Sequence, residues 1–182
     1  MRYRNSVKNQ FCSTNQIRLQ SGHLRLLRRR VRALRQYSDF DALLAVHRNP
    51  DGHYAQKDAV LLGLVEEHQR SAGGPALSML SVLMFPALDH IYYRRWWWSR
   101  DRDDVWAQVF GAFVTVLQRY PTARRRAKVA ANIRGETIGE LSKERTRERR
   151  VDAAVRELGA VALAGVLRQV TEGAGADAGE GS

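Results

Sequence analysis

Apolar residues recur along this chain at steps of three and four, the period of helices that bury one face, and no segment alternates in twos as a half-buried strand would. Leu24, Leu26, Leu27, Val31 and Leu34 form a stripe among arginines, which predicts a basic helix over 24–37. Ser38 is placed to cap a short helix carrying Asp39 and Asp41 in its first turn, and Asn49-Pro50-Asp51-Gly52 ends it. Residues 55–70 come next, with Val60, Leu61, Leu64 and Val65 inward, stopped by Gly73-Gly74-Pro75. The next helix starts near Pro75, a favoured first helical residue, and is the most apolar part of the chain. It is the expected central core element, kinked or broken at Pro86. Asp101 to Tyr120 reads as a further helix with Val105, Val109, Phe113, Val116 and Leu117 on one side, ended by Pro121. From Thr122 to Arg150 an arginine-dense helix carries a thin apolar thread of Val129, Ile133, Ile138 and Leu141, and residues 151–170 make a last apolar helix.

The predicted class is all-α, a helical bundle with flexible termini. Residues 1–22 read as a disordered basic arm, without periodicity and rich in Asn, Gln and Ser; an Arg-rich, acid-poor start also resembles an organellar transit peptide. Residues 23–54 hold the basic helix and the short acidic one, 55–150 a helical domain, 151–170 a C-terminal helix and 171–182 a disordered Gly/Ala/acid tail.

The 182 residues carry 30 Lys+Arg against 19 Asp+Glu, a formal charge of +11. That charge is laid out in blocks: +10 over 1–38, −4 over 39–93, +8 over 94–150 and −3 over 151–182. Segregation of this kind steers a polyanion to particular faces, nucleic acid first and an anionic membrane surface second. A single cysteine, Cys12, excludes an internal disulfide and suits a reducing cytoplasm. No uncharged apolar run reaches the length of a membrane span, and no signal-peptide pattern accompanies the basic start, so no membrane partner is expected.

Catalytic chemistry finds no support in the pattern. His23, His47, His53, His68 and His90 are scattered, no metal-ligand spacing or Gly-rich phosphate loop occurs, and Asp89-His90 are helix neighbours that point apart. Neither a cofactor nor a metal is expected. Two basic or aromatic segments are more informative. Tyr92-Tyr93-Arg94-Arg95-Trp96-Trp97-Trp98 interleaves rings with cations, as surfaces that stack on unpaired bases do; the favoured reading for any single tryptophan is that two of them close the core against the 101–120 helix, with at least one of the three left exposed. Arg124, Arg125, Arg126, Lys128 and Arg134 put cations at a predicted helix start, where they oppose the dipole unless a phosphate neutralises them. Asp101-Arg102-Asp103-Asp104 makes an acidic first turn that caps a helix without further function.

Taken in order, LSMLSVLMFPALDHIYYRR, DRDDVWAQVFGAF and RRRAKVAAN resemble the second conserved region of bacterial RNA polymerase sigma factors, the short extracytoplasmic-function type above all. Asp103-Asp104-Val105 match that family's acid-Asp-aliphatic triplet, Val109-Phe110 its V-F pair and Val129-Ala130-Ala131-Asn132 the end of its basic helix. The resemblance covers under a third of the chain. It implies a helical domain whose acidic-start helix docks on the core polymerase clamp through Asp103, Asp104 and Gln108. Promoter DNA would then lie against Arg124, Arg125, Arg126, Lys128 and Asn132, with Arg134 alongside. The family's Gln-Glu pair reads Ala107-Gln108 here, and Arg125 stands where an aromatic is common. The fourth-region helix-turn-helix has no clear counterpart: Thr137-Ile138-Gly139-Glu140-Leu141 is faintly similar, but the run from Ser142 to Arg150 lacks a turn glycine. The expected function is therefore a cytoplasmic, sigma-like transcription factor that binds DNA and RNA polymerase core, with an anti-sigma-like or promoter-reading protein as a further partner. The alternatives are a sequence-tolerant basic nucleic-acid-binding protein unrelated to polymerase, and a regulatory enzyme fragment.

Overall fold

A computed structural model describes residues 14–71, 74–99 and 101–176. Among them the chain is all-helical: α1 Thr14–Leu27, α2 Phe40–Arg48, α3 Tyr54–Ser71, α4 Pro75–Arg95, α5 Arg102–Arg119 and α6 Val129–Ala176, with 3-10 turns at Arg32–Leu34 and Trp96–Trp98. The chain divides into two compact units, one reaching to Leu141 and the other starting at Ser142. α1 and α2 thus belong to the same unit as α3 to α5.

α4 is the centre of the first unit. Its six consecutive residues Met79 to Met84 are all buried, so the helix is covered on every side, by α1, α3 and α5. By length and composition alone Pro75–Trp98 could cross a membrane, but half of its apolar window is inside the fold. The helix is not broken at Pro86. Pro86 is exposed, so its ring does not enter the core, and packing on three neighbours holds the helix through it.

Two expectations about the N-terminal part are corrected. The arm predicted over 1–22 is helical from Thr14, and residues 1–13 lie outside the described residues. Gln20 is buried and its Nε2 donates to Ser78 Oγ at 2.7 Å, which extends the Leu24/Leu27 face by a turn and docks α1 on α4. The basic helix over 24–37 is two pieces. The chain turns at Arg28-Arg29-Arg30, and the Arg28 and Arg35 side chains exchange bonds with each other's backbone: Arg35 Nε donates to the Arg28 carbonyl at 3.2 Å and Arg28 Nη2 to the Arg35 carbonyl at 3.1 Å. This clasp supplies partners for carbonyls that the helix end leaves open. The turn lets Val31, Leu34 and Tyr37 reach the core. Val31 seats over Gly63 of α3, where an added Cβ would come within 2.6 Å of Val31 Cγ1.

Elsewhere the apolar spacing and the helices agree closely, with differences at the caps. Asp39 rather than Ser38 caps α2: its Oδ1 accepts from Ala42 N at 2.8 Å, while Ser38 Oγ donates to its other oxygen. Asp101 caps α5 by accepting from Asp103 N at 2.9 Å. The start of α6 belongs to the first unit, burying Val129, Ile133, Thr137 and Leu141 at steps of four. In the second unit, the helical residues 142–159 are exposed or half-exposed. The helix continues to Ala176, so 171–176, expected in the tail, are helical; Gly173 and Gly175 weaken a helix without ending it.

Candidate nucleic-acid interface

Between α5 and α6 the chain crosses residues 120–128 without regular structure, and this loop is tied down along its length. Gln69 of α3 donates from Nε2 to the carbonyls of Leu117 and Tyr120, at 2.8 and 2.9 Å, holding the end of α5. The Tyr120 hydroxyl donates to the Arg125 carbonyl at 3.2 Å, and Asn132 Nδ2 donates to the Ala127 carbonyl at 3.0 Å. Asp58 of α3 then accepts from the backbone N–H of Lys128 and of Val129, at 2.7 and 2.8 Å. A carboxylate from another helix thus caps α6, matching the positive end of its dipole.

This cap changes where the predicted cations sit. Arg124, Arg125, Arg126 and Lys128 were expected to open a helix; α6 starts only at Val129, and they lie on the preceding loop, with Lys128 in the left-handed region at φ 55°. The dipole conflict read from the sequence does not arise, because Asp58 occupies the helix end. Arg124, Arg126, Lys128 and Arg134 are exposed and make no ion pair among the described residues. Arg125 is paired with Glu136, and Arg119 with Glu140. The Asn132 amide is committed to the loop, at Ala127 and Tyr120.

Arg126 also reaches a feature that linear spacing does not reveal. An open cleft of about 840 Å³ lies between the 30–36 turn and α3, lined by Arg30, Arg32, Arg35, Arg70 and Arg126, with Glu66 as its one acidic lining residue. Three segments far apart in sequence supply the five guanidinium groups. Beneath them Glu67 is 2% exposed, and its two oxygens accept from Arg30 Nη1 at 2.8 Å and from Arg70 Nη1 at 2.5 Å. A carboxylate so buried needs such paired, charge-assisted bonds. It orients two guanidiniums whose outer faces stay open to solvent. The acid-free block over 1–38 and the basic helix expected over 24–37 include Arg30, Arg32 and Arg35, and nothing in the sequence marked Arg70. A second, apolar groove of about 780 Å³ adjoins the cleft and shares Ala59, Leu62 and Arg126 with it.

Asp103 and Asp104 are exposed in the first turn of α5, and Gln108 is half-exposed one turn on. Asp104 accepts from Ser99 Oγ at 3.4 Å, and the Asp103 backbone N–H is the one that Asp101 caps. α5 has 18 residues, about 27 Å of helix, and that length separates these acids from the arginine loop at its other end. The tryptophans occupy a 3-10 turn at the same end as the acids. Trp98 packs on the core with Arg95 4.8 Å from its ring centroid, whereas Trp96 and Trp97 are 47% and 65% exposed. Among the described residues no three His, Cys, Asp or Glu side chains gather in a way that could hold a metal ion.

Comparison with known proteins adds no identity to this geometry: no family model, curated protein or solved structure matches the chain.

Proposed function

We propose that the protein binds nucleic acid through the arginine cleft and the 124–128 loop that borders it, as a binding protein rather than an enzyme. The observation that carries this reading is the convergence of Arg30, Arg32, Arg35, Arg70 and Arg126 on one open cleft, with Glu66 in its wall and Glu67 buried against Arg30 and Arg70. Guanidinium groups whose outer faces stay open to solvent suit phosphate oxygens, which they bind as forked donors. Arg124 and Lys128 extend the same positive surface along the loop. Five phosphate contacts would give a slope of log affinity against log salt of about −4 to −5 on duplex DNA. Binding of a labelled DNA fragment, followed by fluorescence anisotropy across a salt series, tests this. Arg126→Ala is expected to weaken binding and to flatten the slope by about one unit. Binding that is unchanged in affinity and slope would reject the interface.

A sigma-like role is the second reading. It is favoured by the residues of 77–132 that resemble the sigma second region and by the exposure of Asp103 and Asp104 at the end of α5 away from the arginines. In this reading the protein is cytoplasmic; the acids contact the basic polymerase clamp while DNA occupies the other end. Reversing both charges, Asp103→Lys with Asp104→Lys, should abolish co-purification with core polymerase and leave DNA affinity intact. Core polymerase that is not retained by the unaltered chain would leave nucleic-acid binding without the polymerase.

A further inference from the structure

The apolar groove beside the arginine cleft has Ala55, Ala59 and Leu62 of α3 on one side and Ala127, Ala130 and Ala131, around the start of α6, on the other. Short side chains on both sides leave its space of about 780 Å³. Asp58, the acid in its wall, is already engaged by the N–H groups of Lys128 and Val129. Tyr54 also lines the groove, and it is 68% exposed. Its hydroxyl donates to the Pro50 carbonyl at 2.9 Å, and Lys57 Nζ lies over its ring, 5.3 Å from the centroid. An aromatic ring anchored in this way loses little freedom when a flat apolar partner stacks on it.

Cations stand around this apolar space. Arg126 is common to the cleft and the groove, and Lys57 and Lys128 line the groove as well. The surface therefore passes from guanidinium groups to an apolar hollow and on to lysines. A nucleic-acid strand with unpaired bases has the same alternation, phosphates for the cations and flat apolar bases for the hollow. In a duplex the bases are paired and stacked on one another, and the groove would stay empty. The cleft and the groove, about 840 and 780 Å³, are each the size of a whole small-ligand pocket, so together they suit successive nucleotides of a strand rather than one free nucleotide. We propose that the groove receives unpaired nucleobases, with Tyr54 stacking on one of them, and that the protein's preferred ligand is single-stranded nucleic acid.

The proposal rests on the nucleic-acid reading of the cleft, and the test separates the two. Three labelled ligands of equal phosphate number are titrated into the full chain by fluorescence anisotropy: an oligothymidine, the same backbone without bases, and a hairpin duplex. An oligothymidine of about twelve nucleotides should bind about tenfold more tightly than either of the others. Tyr54→Ala and Ala131→Leu each leave the charge unchanged, the first removing the ring and the second filling the groove. Each should bring the oligothymidine down to the affinity of the baseless strand and leave the baseless strand's affinity and salt slope as they were. Ala131 is exposed, and leucine is a good helix former, so the second variant keeps the fold. Equal affinity for the oligothymidine and the baseless strand, a preference for the duplex, or an oligothymidine affinity that Ala131→Leu does not change overturns the base site. In those cases a salt slope that Arg126→Ala flattens leaves the cleft standing as a phosphate site. Failure of all three ligands to bind rejects the cleft and the groove together.

Discussion

Asp58 shows how one side chain can set a local structure that its own helix does not need. Its carboxylate takes the N–H groups of Lys128 and Val129, so it decides both where α6 starts and where the cations before it point. Asp58→Ala should cost about 1–2 kcal/mol in urea unfolding of the first unit. It should also weaken DNA binding, because the loop loses an anchor, while Asp58→Asn keeps part of both. A variant that unfolds at the wild-type denaturant concentration would show that the cap carries no stability. His47 gives a second residue-scale expectation. Burial lowers its pKa from 6.5 to about 4, with the Lys57 charge adding to the effect. Burial also lowers His68 and His23. An unfolded histidine takes up its proton near pH 6.5, whereas folded His47 does so only near 4, so the unfolded chain binds more protons between these values. Stability should be full above about 6.5, fall by about 2–3 kcal/mol as the pH drops towards 4, and then level off with respect to this group. Denaturant titrations at about pH 7.5 and about pH 4.5 check the sign, and His47→Leu should reduce the difference.

At the scale of elements, apolar spacing alone located most of the helices. Residues 55–70 and 101–120 are helical over Tyr54–Ser71 and Arg102–Arg119, because Val60/Leu64 and Val105/Val109/Phe113 bury one face each. What spacing missed lies where a distant group decides an end. The Arg28–Arg35 clasp stops one helix, and Asp58, some seventy residues earlier in the chain, starts another. The site was half legible for the same reason. Arg126 stood out as part of a run, but the cleft needs Arg70 and the 30–35 turn brought beside it, which is a property of packing. α4 offers the clearest element-scale test. Its proline was expected to bend or break it, and the helix passes through because Pro86 is on the wet side. Pro86→Ala should therefore restore the bond to the Val82 carbonyl and raise stability by about 1–3 kcal/mol, read as a higher melting temperature. A lower melting temperature would mean that Pro86 shapes the packing of α4 on its neighbours.

For the molecule as a whole, net charge and its placement make separable contributions. A chain of +11 attracts any polyanion to some degree. Arg125 and Arg119 are spent on Glu136 and Glu140, and the Glu67 carboxylate orients Arg30 and Arg70 rather than hiding them. The cleft is thus distinguished from the general positive field by geometry. Two double variants with the same change in charge separate the two contributions: Arg32→Gln with Arg126→Gln in the cleft, and Arg149→Gln with Arg150→Gln on the helix of the second unit. The most direct measurement is the salt dependence of DNA affinity for this matched pair beside the unaltered chain. A cleft that holds phosphates predicts a slope flattened by about two units in the first variant and unchanged in the second. Equal, small changes in both would contradict it and leave only a diffuse cationic attraction.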